Sequence, residues 1–227
     1  MERLFKRHDE EIAAVPMSMI RSMMHVIDWS SRLLIIKGAK GVGKSTLMQQ
    51  YIKMNFKAGD RSVLYCSADS SYFSTHTLLD TADTFVMLGG KHLFIDEVHK
   101  YHGWSREIKE MYDTHKNLHI VLSGSSLLQL NDGDADLSRR MIPYMMPGLS
   151  FREFVRFDQG VEIEPVSLKE LLGSADEFCS DVKCKCLPVK LFKQYLQGGF
   201  YPFYFENRKT YPVQVENVMN YIIDYEL

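Results

Sequence analysis

The chain has 227 residues, is 45% hydrophobic, and carries a formal net charge of -2 with a pI of about 6.4. That is enough apolar content for a full core, as one large domain or as one domain with an appendage. The charge balance offers no global basic field for nucleic acid or an anionic membrane, and no apolar run reaches the roughly 18 residues of a membrane span.

Residues 1–30 read as a helical lead-in. Ile12, Val15, Ile20, Met23, Met24 and Ile27 recur at roughly helical intervals, with Pro16 as a break. The first seven residues are charged and lack the apolar h-region of a secretory signal. Leu33-Leu34-Ile35-Ile36 is a short, partly β-branched run that predicts a buried strand. After it come Gly38-Ala39-Lys40-Gly41-Val42-Gly43-Lys44-Ser45-Thr46, and then Leu47, Tyr51 and Met54 at helical spacing. Gly59-Asp60 is a turn, and Ser62–Cys66 a second strand ending in the polar loop Ser67–Ser71. In an open parallel sheet that end is the ligand side, so Asp69 either faces a bound ligand or a partner or is a plain turn residue.

A helix is expected over about 75–88, with Leu78, Ala82, Phe85 and Val86 on its apolar face and Gly89-Gly90 as its stop. His92–Ile95 is a strand running into Asp96-Glu97. Ser105 is the expected N-cap of the next helix, whose inner face is Ile108, Met111 and Tyr112. Leu118–Leu122 is another buried strand, ending in Ser123-Gly124-Ser125-Ser126. A short helix at Leu127–Leu130, an acidic loop at 131–136 and Leu137-Ser138-Arg139-Arg140 follow. Met141–Met146 reads as a fifth strand, and Pro143 places it at a sheet edge.

The character of the chain changes after Pro147. Phe151–Phe157 and Leu191–Leu196 read as helices, and residues 158–190 as short helical fragments. Phe200–Phe205 is aromatic-dense, either packing a lid onto the main core or forming a base-stacking surface. Val213–Leu227 is helical in period and carries no stop signal, so a following domain is expected beyond it. The domain expectation is a core with its lead-in at 1–150 and a helical lid region at 151–227. Of the four cysteines, Cys66 reads as a small core hydrophobe. Cys179, Cys184 and Cys186 lack a fourth ligand or a C-x-x-C pair and make a poor zinc site. Reduced thiols and the absent signal suit a cytoplasmic protein.

The chemistry concentrates in two places. Residues 38–46 fit G-x-x-x-x-G-K-[ST], a phosphate-cradling loop between strand and helix. Glycines let backbone N–H groups curl inward, and the helix end adds its positive pole. Lys44 is placed to reach the β- and γ-phosphates of a nucleotide and Ser45 to ligate Mg²⁺. Asp96, ending an apolar strand, suits the metal through water, and Glu97 beside it suits orienting and deprotonating an attacking water. Ser123, at the end of the adjacent strand, is a candidate contact to the γ-phosphate or that water, or simply a turn residue. Arg139 and Arg140 are candidates for cancelling transition-state charge, or for pairing with the acidic loop before them. His99 is read as a γ-phosphate sensor, a donor to Glu97, or a structural histidine.

In combination these segments resemble a group of prokaryotic AAA-family ATPases. The resemblance rests on Ile36–Leu47, Leu93–Lys100, Leu122–Ser126, Ala135–Arg140 and Gly148–Phe154, and covers roughly residues 28–160. It implies an α/β three-layer P-loop fold with a parallel five-stranded sheet of order 5-1-4-3-2 and a helical lid. It also implies that Asp96, Glu97 and the Ser125 region line the nucleotide site, and that a C-terminal domain normally follows. The expected activity is Mg²⁺-dependent ATP hydrolysis coupled to conformational change in a lid or partner. A low-turnover nucleotide switch is the alternative, and a P-loop kinase a weaker one, because paired Asp-Glu favours water over another acceptor. No N-K-x-D guanine motif is present. A homo-oligomer or partner subunit is a candidate source of the arginine. Nucleic acid is suggested by family association alone.

Overall fold

The computed structural model describes residues 1–125, 137 and 139–225. They form two compact units, Met1–Met146 and Pro147–Leu227.

The first unit contains α1 (Glu2–Ala14), β1 (Leu33–Lys37), α2 (Lys44–Asn55), β2 (Val63–Ser67), α3 (Leu78–Met87), β3 (His92–Asp96), α4 (Trp104–Thr114), β4 (His119–Gly124) and β5 (Ile142–Met145). All sheet pairings are parallel and the order is β2-β3-β4-β1-β5, the expected order counted from the other edge. Central strands of such a sheet are covered on both faces, which is why they read as unbroken apolar runs. Leu33–Ile36 and Leu93–Ile95 are at most 1% exposed. The pleat sends alternate residues to opposite layers. On one face Phe94 meets Tyr51 at 6.0 Å and His92 meets Phe56 at 5.0 Å, against α2 and its C-terminal turn. On the other, Leu64, Leu93, Ile95, Ile120 and Leu122 share a core with Phe85, Ile108 and Met111 of α3 and α4. Pro143 lies in β5, which pairs with β1 at the sheet edge, where a missing N–H costs no ladder bond.

Of the apolar stripe expected of the lead-in, Val15, Met24 and Ile27 are buried, but it does not lie along one helix. α1 ends at Ala14, two residues before Pro16, and buries Leu4, Phe5 and His8 instead of Ile12. These three share one helical face, which lies across the edge strand β2. The Phe5 ring sits 6.2 Å from Phe85 in one layer, and Glu11 Oε2 accepts from Gln49 Nε2 at 3.1 Å in the other. Between them, His8 Nδ1 accepts the Tyr65 backbone N–H at 2.9 Å. An edge strand needs such cover, because its unpaired N–H groups otherwise invite another chain.

Nδ1 can accept only in the neutral imidazole, and burial holds the His8 pKa below its ordinary value. His92 is lowered as well, first by burial and then by His119. The folded state therefore binds fewer protons than the unfolded chain across the ordinary histidine range. Stability should fall as pH drops through about 6.5 toward the depressed values, and level off below them. Thermal denaturation at a series of pH values checks this. His8→Asn, which keeps an acceptor and does not titrate, should flatten the slope.

Leu47, Tyr51 and Met54 lie in α2 as their spacing predicts; α2 buries Leu47, Met48, Gln50 and Ile52, while Met54 is 50% exposed and Tyr51 lies half-buried, its ring stacked on Trp29 at 4.0 Å. Two further local expectations are corrected. α3 starts at Leu78 rather than near 75, because the Thr77 side chain accepts from Asp80 N, and residues 71–74 form a separate 3-10 turn. The N-cap of α4 is Gly103 at φ 79, which a glycine adopts without a Cβ penalty, and Ser105 falls inside the first turn. The short helix expected at 127–130 and the acidic loop at 131–136 lie outside the described residues.

The second unit contains α5 (Phe151–Gln159), α6 (Leu168–Lys185), α7 (Pro188–Gly198) and α8 (Tyr211–Tyr225). Short helical fragments were expected at 158–190, and α6 consists of two helical segments that meet at a non-helical kink at Ser174. Ser150 and Glu153 form a reciprocal capping box at the start of α5. Phe154 is fully buried, with the rings of Tyr195, Tyr204 and Phe205 within 5.7 Å of it. Tyr195 Oη donates to Leu149 O at 2.7 Å. The aromatic run thus packs inside this unit. All four cysteines are free thiols. No helix among the described residues is long and apolar enough to cross a membrane.

Candidate nucleotide site

A parallel sheet gathers all its carboxyl ends at one edge, and both predicted motifs follow strands there. Residues 38–43 connect β1 to α2, with Gly41 at φ 84 and Gly43 at φ 98, conformations that favour glycine. Gly38 is required for a different reason. A Cβ there would lie 2.4 Å from Met146 O, so the loop passes the end of β5 at backbone distance. Lys44, the first residue of α2, is 5% exposed. Its Nζ donates to Gly38 O at 2.9 Å and Ala39 O at 3.1 Å, which keeps the ammonium inside the loop. Lys40 and Gly41 are exposed, Val42 is buried, and Ser45 and Thr46 lie half-buried in the first turn of α2. Arg21, also 5% exposed, donates Nη1 to Val42 O at 2.7 Å and braces the loop from the lead-in.

Across the edge, β4 lies between β1 and β3, so β3 is two strand spacings from β1, about 10 Å. Asp96 is 5% exposed. Its Oδ2 accepts from Tyr65 Oη at 2.7 Å, and its Oδ1 accepts from Ser123 Oγ. Ser123 Oγ also accepts the Glu97 N–H at 3.0 Å. Ser123 is fully buried, so in this structure it ties β4 to the two carboxylate residues. Glu97 has φ 51, the only positive φ of a non-glycine residue among those described. Backbone strain of that kind costs on the order of 1–3 kcal/mol and persists only where surroundings hold it. Glu97 Oε2 lies 3.3 Å from His99 Nε2, and His99 Nδ1 accepts the Ser125 N–H at 3.4 Å. That acceptor role puts the imidazole proton on Nε2, aimed at Glu97. Beside Asp96, the Cys66 thiol is pushed up to about 12, first by burial and then by the Asp96 charge, which makes it inert.

The donor set suits a magnesium–nucleotide pair. Ser45 and Asp96 offer hard oxygen ligands. A carboxylate has about four lone-pair sites, so Asp96 keeps accepting capacity beyond Tyr65 and Ser123. Lys44 and the N-terminus of α2 supply positive charge for a phosphate.

Two predicted residues are not brought to this edge. Arg140 Nε pairs with Asp113 Oδ1 at 3.3 Å, near the C-terminal end of α4. β5 begins at Ile142 and runs parallel to β1, so Arg139 and Arg140 lie at the amino-terminal edge of the sheet. A five-residue strand separates that edge from the loop by about 16 Å. The pairing partner of Arg140 is a helix residue, and the acidic loop lies outside the described residues. Asp69 is exposed at the end of β2.

Sequence reasoning missed Arg21 and Tyr65. The signal for Arg21 was a lone charge within Met17–Met24, and for Tyr65 a phenol among apolar strand neighbours.

The sheet order, the glycine loop between β1 and α2 and the acidic end of β3 define a P-loop nucleotide-binding fold of the AAA type. Residues 30–155, more than half of the chain, match the AAA domain family, and the chain belongs to that family. Two uncharacterised proteins of Methanocaldococcus jannaschii are similar. MJ1637 is 28% identical over 186 residues, which cover 77% of this chain and 39% of that protein. MJ1544 is 23% identical over 189 residues, covering 75% of this chain and 41% of that protein. The chain thus spans well under half the length of these curated relatives. Among solved structures, AMPPCP-bound DnaA from Aquifex aeolicus is similar at 16% identity and a TM-score of 0.44, over 97% of this chain and 68% of that one. DnaA bound to AMPPCP and single-stranded DNA is 20% identical with a TM-score of 0.43, over 84% of this chain and 61% of that one. Scores of that size leave the fold resting on the strand order and the family match.

Proposed function

We propose that the chain is a Mg²⁺-dependent ATPase. The observation that carries this reading is the buried Lys44 in its glycine loop at the same sheet edge as the adjacent Asp96 and Glu97. In this reading residues 38–46 grip the phosphate tail through backbone N–H groups, with Lys44 on the β- and γ-phosphates. Ser45 and Asp96 hold Mg²⁺, which offsets charge on the phosphate oxygens. Glu97 orients the attacking water and takes its proton. Ser123 holds Asp96 and the Glu97 backbone. His99 donates to the Glu97 carboxylate and links it to Ser125, the residue by which the end of β4 would register phosphate.

Arg139 and Arg140 are too far along the sheet to serve their own site, so a finger drawn from them acts on a neighbouring subunit of a homo-oligomer. Residues 151–227 act as the lid, or as the element that passes nucleotide state to a partner. The protein works in the cytoplasm, and nucleic acid has no support in its charge.

Phosphate release from ATP alone, with and without Mg²⁺, tests the reading. Release that requires Mg²⁺ and rises steeply with protein concentration is expected. Phosphate passing only to an added acceptor would make the protein a kinase, and tight binding without release would make it a switch.

A further inference from the structure

Tyr65 is unusual for its position. β2 is the edge strand covered by α1, and the residues flanking Tyr65, Leu64 and Cys66, are apolar and buried, yet Tyr65, itself only 4% exposed, carries a hydroxyl. Burying a hydroxyl is unfavourable unless it is hydrogen-bonded, and a phenylalanine would fill nearly the same volume. The hydroxyl is used: it donates to Asp96 Oδ2 at 2.7 Å, opposite the Ser123 contact on Oδ1. Strand register puts Tyr65 two residue pairs before Asp96, opposite Phe94, and on the same face of the pleat. The Tyr65 backbone is itself fixed, with its N–H on His8 Nδ1 at 2.9 Å.

We propose that Tyr65 is a positioning residue for the cation-binding carboxylate, setting the rotation of Asp96 so that a free lone pair faces the Mg²⁺ of a bound nucleotide. The assignment rests on the nucleotide-site reading above. Two neutral donors, one on each oxygen, lock the carboxylate plane. Partners of this kind orient metal ligands, and their loss typically weakens metal affinity about 10–100-fold.

The test compares wild type and Tyr65→Phe for affinity toward a non-hydrolysable ATP analogue, in EDTA and in Mg²⁺. In EDTA the two should bind alike. The gain from adding Mg²⁺ should be about tenfold or more smaller in the variant. An equal gain would reduce Tyr65 to packing and overturn the proposal. A wild type that binds no analogue under either condition would sink the nucleotide reading, and this assignment with it. Should Tyr65→Phe fail to fold, 3-fluorotyrosine at position 65 preserves the shape and decides alone. Its ¹⁹F resonance should shift when Mg²⁺ is added to the analogue complex, and an unmoved resonance would overturn the assignment.

Discussion

Glu97→Gln is expected to bind ATP as the parent does and to lose about 10²–10⁴-fold in turnover. Gln has nearly the same shape and keeps an oxygen to accept from His99 Nε2, which lies 3.3 Å from the carboxylate. The Glu97 N–H still reaches Ser123 Oγ, so the left-handed backbone at this position should survive. What is lost is the basic site for the water's proton. Single-turnover phosphate release, paired with analogue affinity, separates the two effects. Unchanged turnover would remove Glu97 from its role. Lost binding would show that Glu97 serves the cradle instead.

Arg139→Ala is expected to lower turnover by about 10³–10⁵-fold in the assembled protein, with nucleotide affinity little changed. Arg139 is exposed at the amino-terminal edge of the sheet, and the neighbouring Arg140 guanidinium is engaged by Asp113. In the reading proposed above, a residue there meets a phosphate across a subunit boundary. Mixing Arg139→Ala with Glu97→Gln is the discriminating measurement. The first chain keeps an intact site and the second an intact arginine, so mixed assemblies should regain activity that neither chain has alone. Failure to complement, with both chains folded, would remove the arginine from the mechanism.

Much of the fold was legible because a doubly covered parallel sheet produces unmistakable apolar runs, and a phosphate loop must have glycines at set positions. Even Pro143 carried information, since only an edge strand tolerates it. Val15, Met24 and Ile27 of the expected stripe are buried, but the contact face of α1, Leu4, Phe5 and His8, was not read, because it is set by an edge strand it must cover, a tertiary demand that local spacing does not express. Arg139 and Arg140 lie at the amino-terminal edge of the sheet because they come just before β5, which runs parallel to β1, a placement that the sequence around them does not express. Tyr65 and Arg21 were overlooked because each acts through a partner distant in sequence, Asp96 and Val42. Buried polar pairs of that kind appear only when strands and loops are brought together.

The central claim is that the loop at 38–46 grips a triphosphate with Lys44 while Asp96 attends its cation. Calorimetric titration with a non-hydrolysable ATP analogue, with and without Mg²⁺, on wild type and on Lys44→Ala, tests it most directly. One site per chain, tightened by Mg²⁺ and lost in Lys44→Ala, is the predicted result. Absence of binding by the wild type, or equal affinity in the two proteins, would contradict it.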